Sequence, residues 1–387
     1  MLWLNVMSMY VLTITILLSL YFLSLYFPLT RIGWSVYLFI NVAAYLFFWF
    51  LVLGLYLIVH SVLTWLLGGT VFALHLGGGP ILVETRIGMM HIAIHRYPSF
   101  SYFQAAFPQQ ETARVRFLTL YLTGIIVSLI LTISLAMNFR ISNLGTTLAV
   151  GELFCAASVF ILVSILIPSH FDIGGAKLPN NAARILQLVK DRNAPAQLHE
   201  TFFILKTTFD IRSKAYPAAL SSCDEGLRLY PENLILKSNL GITWIELGRY
   251  TEALQLFEGL ASLATDNPPF AAIFANNAGW AALLLGDREK ARTYTQEAFA
   301  LMPWEPAVQG TWGAVLVEDG DVDIGLHHLF QAAEQHMIPH NRAINFAYAA
   351  VGLYRIGKQE EARAYLKKAT ALDSDTDIVR RAQQEIV

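Results

Sequence analysis

"NLGITWIELGRYTEALQLFEGL", residues 239–260, is the stretch on which the fold of the C-terminal half turns. Apolar residues of helical period lie on both sides of a break at Gly248, so the segment reads as two helices joined by a tight turn. Gly241 and Ala253 are small where the two helices approach, and Trp244, Tyr250 and Phe257 fill the space between them. One such hairpin cannot bury its apolar face alone, so the rest of the chain is expected to repeat it.

It does. Gly279, Gly286, Ala291, Ala298 and Pro303 stand in matching places in the next copy, followed by Gly313, Gly320 and Ala332. A last copy has Ala350, Gly357, Ala362 and Ala369, and an earlier, weaker one has Tyr216, Ala219 and Pro231. The turn positions Lys214, Gly248, Gly286, Gly320 and Gly357 are 34, 38, 34 and 37 residues apart. This pattern resembles the tetratricopeptide repeat (TPR), in which the same positions recur every 34 residues. The resemblance implies an α-solenoid of about five repeats over residues 197–387. Its concave face would hold peptides or protein surfaces, and it would have no catalytic chemistry of its own. His327, His328, His336 and His340 cluster in the fourth repeat, where a solvated or groove-lining role is expected. "YLKKATALD" reads as the charged outer face of a terminal helix.

The chain as a whole has 387 residues, 55% of them hydrophobic, and a net charge of -2. That balance gives no reason to expect a nucleic-acid partner. The two cysteines, Cys155 and Cys223, offer neither a disulfide framework nor a metal cluster, and both read as buried small residues.

Residues 1–176 differ in kind from the repeats, being apolar, aromatic and sparsely charged. Four stretches, 7–29, 35–67, 117–137 and 146–168, are long enough to span a hydrocarbon core. The first lacks the basic flank and cleavage site of a signal peptide. Arg86, Arg96, Arg114 and Arg116 follow the second span, and Lys177, Arg184, Lys190 and Arg192 follow the fourth. The opposite side carries little beyond Arg31 and Arg140, so the positive-inside rule places the N-terminus and the repeats in the cytoplasm. An inner or plasma membrane is the expected location.

Between the second and third spans, residues 69–98 change from helical to alternating period, broken by "GGGP" and "IG". They read as two or three β-strands held at the interface or within the protein, since lipid cannot satisfy open backbone. His75, His91 and His95 lie on them, the last two facing one side, and are expected to be ordinary interfacial histidines. Residues 177–196 form a linker with a short amphipathic helix, suited to a hinge along the membrane surface.

The order of features across roughly residues 50 to 180 resembles the site-2 protease family of intramembrane zinc metalloproteases. "LIVHSVLTWLLGG" at 57–69 stands where that family has His-Glu-x-x-His and a Leu-Gly helix end. "LGGGP" opens the β segment, "LYLTGIIVSLIL" stands for the Gly-Pro-x-x-Asn span, and "ILIPSHFDIGGAKLP" for the Asn-x-x-Pro and Leu-Asp-Gly segment. By this resemblance His60 matches the first zinc histidine and Asp172 the ligand aspartate. Gly124 and Pro168 match a motif glycine and proline. Ser61 replaces the catalytic glutamate, Thr64 the second histidine, and Ile125 and Ser128 the proline and asparagine. His170 or His75 would be the extra ligands of any rearranged site.

Zinc hydrolysis needs three protein ligands, a polarised water and a base. A serine alcohol does not act as a base near neutral pH. The expectation is therefore a mainly α protein: a polytopic transmembrane core with a small β insertion, then a cytoplasmic TPR solenoid. The core would be a pseudoprotease without catalytic residues or cofactor, its His60 paired with Asp172. It would hold a transmembrane or extended segment, the latter as an added strand, while the repeats recruit a protein partner. The alternatives are an active intramembrane protease with an altered zinc site and a plain membrane-tethered TPR scaffold.

Overall fold

A computed structural model of the chain describes residues 34–141, 158–159, 161–163, 166–168, 170–173, 176–264, 266–335 and 338–386. They divide into two compact units, 1–209 and 210–387.

The first unit opens with α1, Trp34–Leu66, followed by strands β1, Thr70–Ile87, and β2, Met90–Ala106, and then α2, Gln110–Ile141. A hairpin of β3, His170–Ile173, and β4, Ala176–Pro179, leads into α3, Asn181–Lys190, and α4, Ala194–Arg212. β1 and β2 pair antiparallel, from Thr70 with Ala106 to Leu76 with Ser101, and again from Ile81 with His95 to Ile87 with Met90. The inner residues Ala73–Leu76 also pair with His91–Ile94, so the start of β1 has a neighbour along both edges. The sheet thus runs on to residue 106, beyond the expected end at 98. Pro98 falls between the pairs Gly78–Tyr97 and Leu76–Ser101, at a shift of register where a proline costs no ladder hydrogen bond.

Of the four expected spans, the described residues contain two helices long and apolar enough to cross a membrane, Leu46–Leu66 and Gln110–Ser134. The stretch 7–29 and most of 146–168 lie outside the described residues, as does Cys155. Within the last stretch, Ile161 is buried against Val52 and Leu53 of α1.

Residues 177–196 are more than a linker. Asn180 caps α3 by accepting from the Ala183 N–H at 3.0 Å and donates to the Ile167 carbonyl at 2.6 Å. Leu188 and Ala194 are buried with Phe107, Ala113, Phe117 and Leu120. The amphipathic helix expected there spends its apolar face on this core. Arg114 ties the segment down further, donating to the Asp191 carbonyl at 2.7 Å.

The second unit is a series of helix pairs. The end of α4 and α5, Tyr216–Leu229, turn at Lys214; α6, Leu234–Glu246, and α7, Tyr250–Leu263, turn at Gly248. α8, Pro268–Leu285, and α9, Arg288–Leu301, turn at Gly286; α10, Pro306–Asp319, and α11, Val322–Gln335, at Gly320. α12, Pro339–Arg355, and α13, Gln359–Leu372, turn at Gly357, and α14, Asp377–Ile386, closes the series. All five turn residues have positive φ, 57° at Lys214 and 76–96° at the glycines. This left-handed conformation is free for glycine but costs an L-residue about 1–2 kcal/mol. Lysine at the first turn is therefore a strained choice.

Phe257 and Gly241 meet as expected between α6 and α7, and Phe257 and Ala253 are fully buried. Cys223 is likewise buried. The first helices of the later repeats are buried around most of their circumference: Val308–Thr311 and Gly313–Glu318 of α10 are all buried. The second helices bury only a stripe, such as Ala291, Thr295 and Ala298 of α9.

Candidate functional site

His60 sits on the inward face of α1 and is 1% exposed. Its Nδ1 lies 3.0 Å from the Tyr56 carbonyl, which can only accept, so Nδ1 carries the proton and Nε2 a bare lone pair. The Tyr56 ring packs 4.0 Å from the imidazole and Phe103 of β2 meets it edge-on at 5.6 Å. Tyr56 is itself held by Asn181, whose side-chain amide donates to its hydroxyl. From α2, Gly124 closes the remaining side. A Cβ there would lie 2.2 Å from His60 Cε1 and 2.5 Å from Nε2. The ring therefore rests on bare helix backbone, which only glycine provides.

His60 Nε2 and the buried Thr64 Oγ1 have no hydrogen-bond partner among the described residues. Ser61 donates to the Leu57 carbonyl at 2.8 Å, so its hydroxyl is spent on its own helix. Thr132 of α2 donates to the Ser128 carbonyl at 2.8 Å, and Pro168 is exposed. Asp172 and His170 pair through their backbone with Lys177 and Pro179, but their side chains lie outside the described residues, and so does the expected His60–Asp172 pair. The described donors at this site are one imidazole nitrogen and one hydroxyl. That set does not fit zinc, which takes three strong protein ligands in a hydrolase. No group of three His, Cys, Asp or Glu side chains among the described residues is disposed to hold a metal ion.

His75, the other extra-ligand candidate, belongs to a chain of polar groups on the sheet. Its Nε2 is 3.0 Å from His91 Nδ1, and its Nδ1 is 3.4 Å from His95 Nε2. His91 Nε2 in turn lies 2.6 Å from Glu84 Oε1. If each ring donates from Nε2 and accepts at Nδ1, the whole chain is satisfied, ending on the carboxylate. The expected common side for His91 and His95 holds, with His75 between them. The linear arrangement uses opposite nitrogens of His75 and does not converge on one point.

In the repeats, His336 lies outside the described residues, and the other three histidines have separate roles. The His328 ring meets Phe299 edge-on at 5.0 Å and His327 at 5.7 Å. Burial first, then the neighbouring His327, lowers the pKa of His328 below the ordinary imidazole value. His340, at the start of α12, is ion-paired: its Nδ1 is 2.9 Å from Asp373 Oδ2 and its Nε2 3.7 Å from Glu246 Oε1. Neither partner was recognisable from local sequence, since both lie many residues away.

A model of the tetratricopeptide repeat family matches residues 212–268, and TPR repeats are thereby present in the chain. The match lies wholly in the repeat half and lends nothing to the protease resemblance of residues 50–180. Among solved structures, the chain is similar to YrrB, described as a TPR protein with an unusual peptide-binding site. The identity is 21% over 47% of this chain and 90% of that one, with a TM-score of 0.31. It is similar to a thermophilic TPR protein of Thermus thermophilus at 20% identity over 48% and 98%, TM-score 0.40. It is similar also to PilW, a type IV pilus biogenesis factor, at 16% identity over 52% and 90%, TM-score 0.37. No curated protein matches the sequence. The repeat assignment rests on the family match and on the helix pairs themselves.

Proposed function

We propose that the chain is a membrane-anchored TPR scaffold: the first unit holds it in a bilayer and the repeats engage a protein partner on the cytoplasmic side. The observation that carries this is that α1 is apolar on its exposed face as well as on its buried one, where Val52, Leu53 and Leu57 lie. It buries His60 and Thr64 while turning Phe47, Leu51, Ile58, Val62 and Trp65 outward. The most apolar stretch within Leu46–Leu66 is only 24% buried, and that within Gln110–Ser134 only 22%. A core helix of a water-soluble protein buries its apolar stripe, and outward apolar faces of this extent in water invite association. Lipid removes that conflict, and the polar groups then face the interior, as polar groups within membranes do.

The protease resemblance enters this proposal as a binding core without hydrolysis. Ser61 is no base, and the described donors around His60 do not make a zinc site. What the core could still hold is an apolar or extended segment. Residues 81–85 pair with 92–95 on one side among the described residues and expose Leu82 and Val83. Such an edge accepts an added strand through its backbone groups.

Alkaline carbonate washing of membranes from cells making the full chain tests the anchor. The chain is expected to stay in the pellet and to dissolve only in detergent. Release into the wash, as a species that stays dispersed without detergent, would overturn the proposal.

A further inference from the structure

The ends of the repeat array are tied to each other by side chains. Lys214 Nζ, at the first turn, lies 2.7 Å from Asp373 Oδ1, at the end of α13. The other oxygen of Asp373 holds His340 Nδ1 at 2.9 Å, and His340 Nε2 faces Glu246 Oε1 at 3.7 Å. Tyr216, at the start of α5, donates to Glu246 Oε2 at 2.7 Å. Beside them Tyr250 points its hydroxyl to Asp377 Oδ2 at 3.5 Å. In a solenoid each repeat touches only its neighbours. These contacts instead join the first two repeats to the fifth and to α14.

Two further observations give the network a purpose. Lys214 keeps a left-handed conformation that every other turn gives to glycine, and its reward is the contact with Asp373. The inner layer is also filled by the protein's own side chains. Trp280 of α8 meets Tyr348 of α12 edge-on at 5.9 Å, and Tyr348 is 2% exposed.

We propose that Lys214, Tyr216, Glu246, His340 and Asp373 form a clasp that holds the repeat array closed, and that a polypeptide partner reaches the inner face only once the clasp opens. The consequence for the partner rests on the scaffold reading; the clasp itself does not. Salt weakens it, since several of its groups are part-exposed and screening shortens the reach of each pair. Alkaline pH weakens it too. His340 faces Glu246 and Asp373, with Lys214 and Tyr216 bonded to those carboxylates and Tyr250 and Asp377 alongside. Burial works against its charged form, but the two carboxylates outweigh burial and raise its pKa. Its contribution is therefore complete below the ordinary imidazole value and is lost as pH rises through the raised one.

The test is a distance between spin labels on the full chain in detergent, at Glu232→Cys and Glu361→Cys in a Cys155→Ser background, with the buried Cys223 retained. Both sites are surface positions, one beside the second repeat and one on the fifth. No partner is needed, so a failure here leaves the scaffold reading standing, and loss of the scaffold reading leaves this result standing. A single short distance is expected at low salt and pH 6. Lys214→Gly relieves the strained turn yet should populate a longer distance, each lost pair shifting the closed-to-open ratio by up to about fivefold. Lys214→Asp should open the array further than Lys214→Gly, because it sets a second carboxylate against Asp373. The rise in long distances between pH 6 and 9 should vanish in His340→Gln. Identical distributions in the parent, Lys214→Gly and Lys214→Asp would overturn the clasp.

Discussion

Phe257→Ala lowers the stability of the repeat unit by about 3–5 kcal/mol. The ring is fully buried between α6 and α7, and it lies 2.6 Å from where a Cβ on Gly241 would stand. The helices can meet there only because one side is bare and the other is an aromatic plug. Removing the plug leaves a cavity that Gly241 has no side chain to fill. The loss falls on the neighbouring repeats as well, because each repeat is stabilised by its interfaces. Urea unfolding of the full chain in detergent, followed by helical signal, reads the shift. Leu263→Ala is the control: that side chain is 69% exposed, and exposed substitutions cost about 0.5 kcal/mol or less. Equal effects from the two changes would refute the packing described for this repeat.

Gly124→Ala is the corresponding change in the first unit and costs about 1–3 kcal/mol or more as overpacking. The added methyl would overlap the His60 ring, which cannot retreat from its Tyr56 carbonyl bond and its contact with the Tyr56 ring. α1 and α2 must move apart instead. His60→Ala removes the obstacle, so the double variant should be less damaged than the sum of the two singles, with a coupling of about 0.5–3 kcal/mol. Thermal unfolding of the four proteins in detergent supplies the cycle. Strict additivity would mean that His60 and Gly124 are not in contact.

Much of the repeat architecture is legible because its constraints are local. Glycine at a positive-φ turn and small residues at a helix crossing leave a spaced imprint, and even Lys214 was found by spacing alone. The clasp was not legible, because Asp373 lies 159 positions from Lys214 and nothing near either residue names the other. The one available clue was a lysine where four other turns have glycine. Residues 177–196 were read as a hinge from their proline and asparagine punctuation. Their amphipathic helix has its apolar partner far back in the chain, at Phe117 and Leu120, where no periodicity could point. The expected sheet stops at Pro98 because a proline ends a strand unless, as here, it lies at a shift of register. His60 stood out as a polar residue in an apolar helix. Of the groups that hold it, Gly124 is marked by the motif resemblance, whereas Tyr56 and Phe103 look like ordinary membrane-helix and strand residues until the fold assembles them.

Scaffold and hydrolase part most sharply on zinc. The direct measurement is the zinc content, by elemental mass spectrometry, of the full chain purified in detergent without chelators, beside His60→Ala. A scaffold whose described donors around His60 are one imidazole nitrogen and one hydroxyl should carry well under one equivalent, the same in both proteins. One equivalent per chain in the parent, lost in His60→Ala and in Asp172→Ala, would contradict it and make the first unit a metal site.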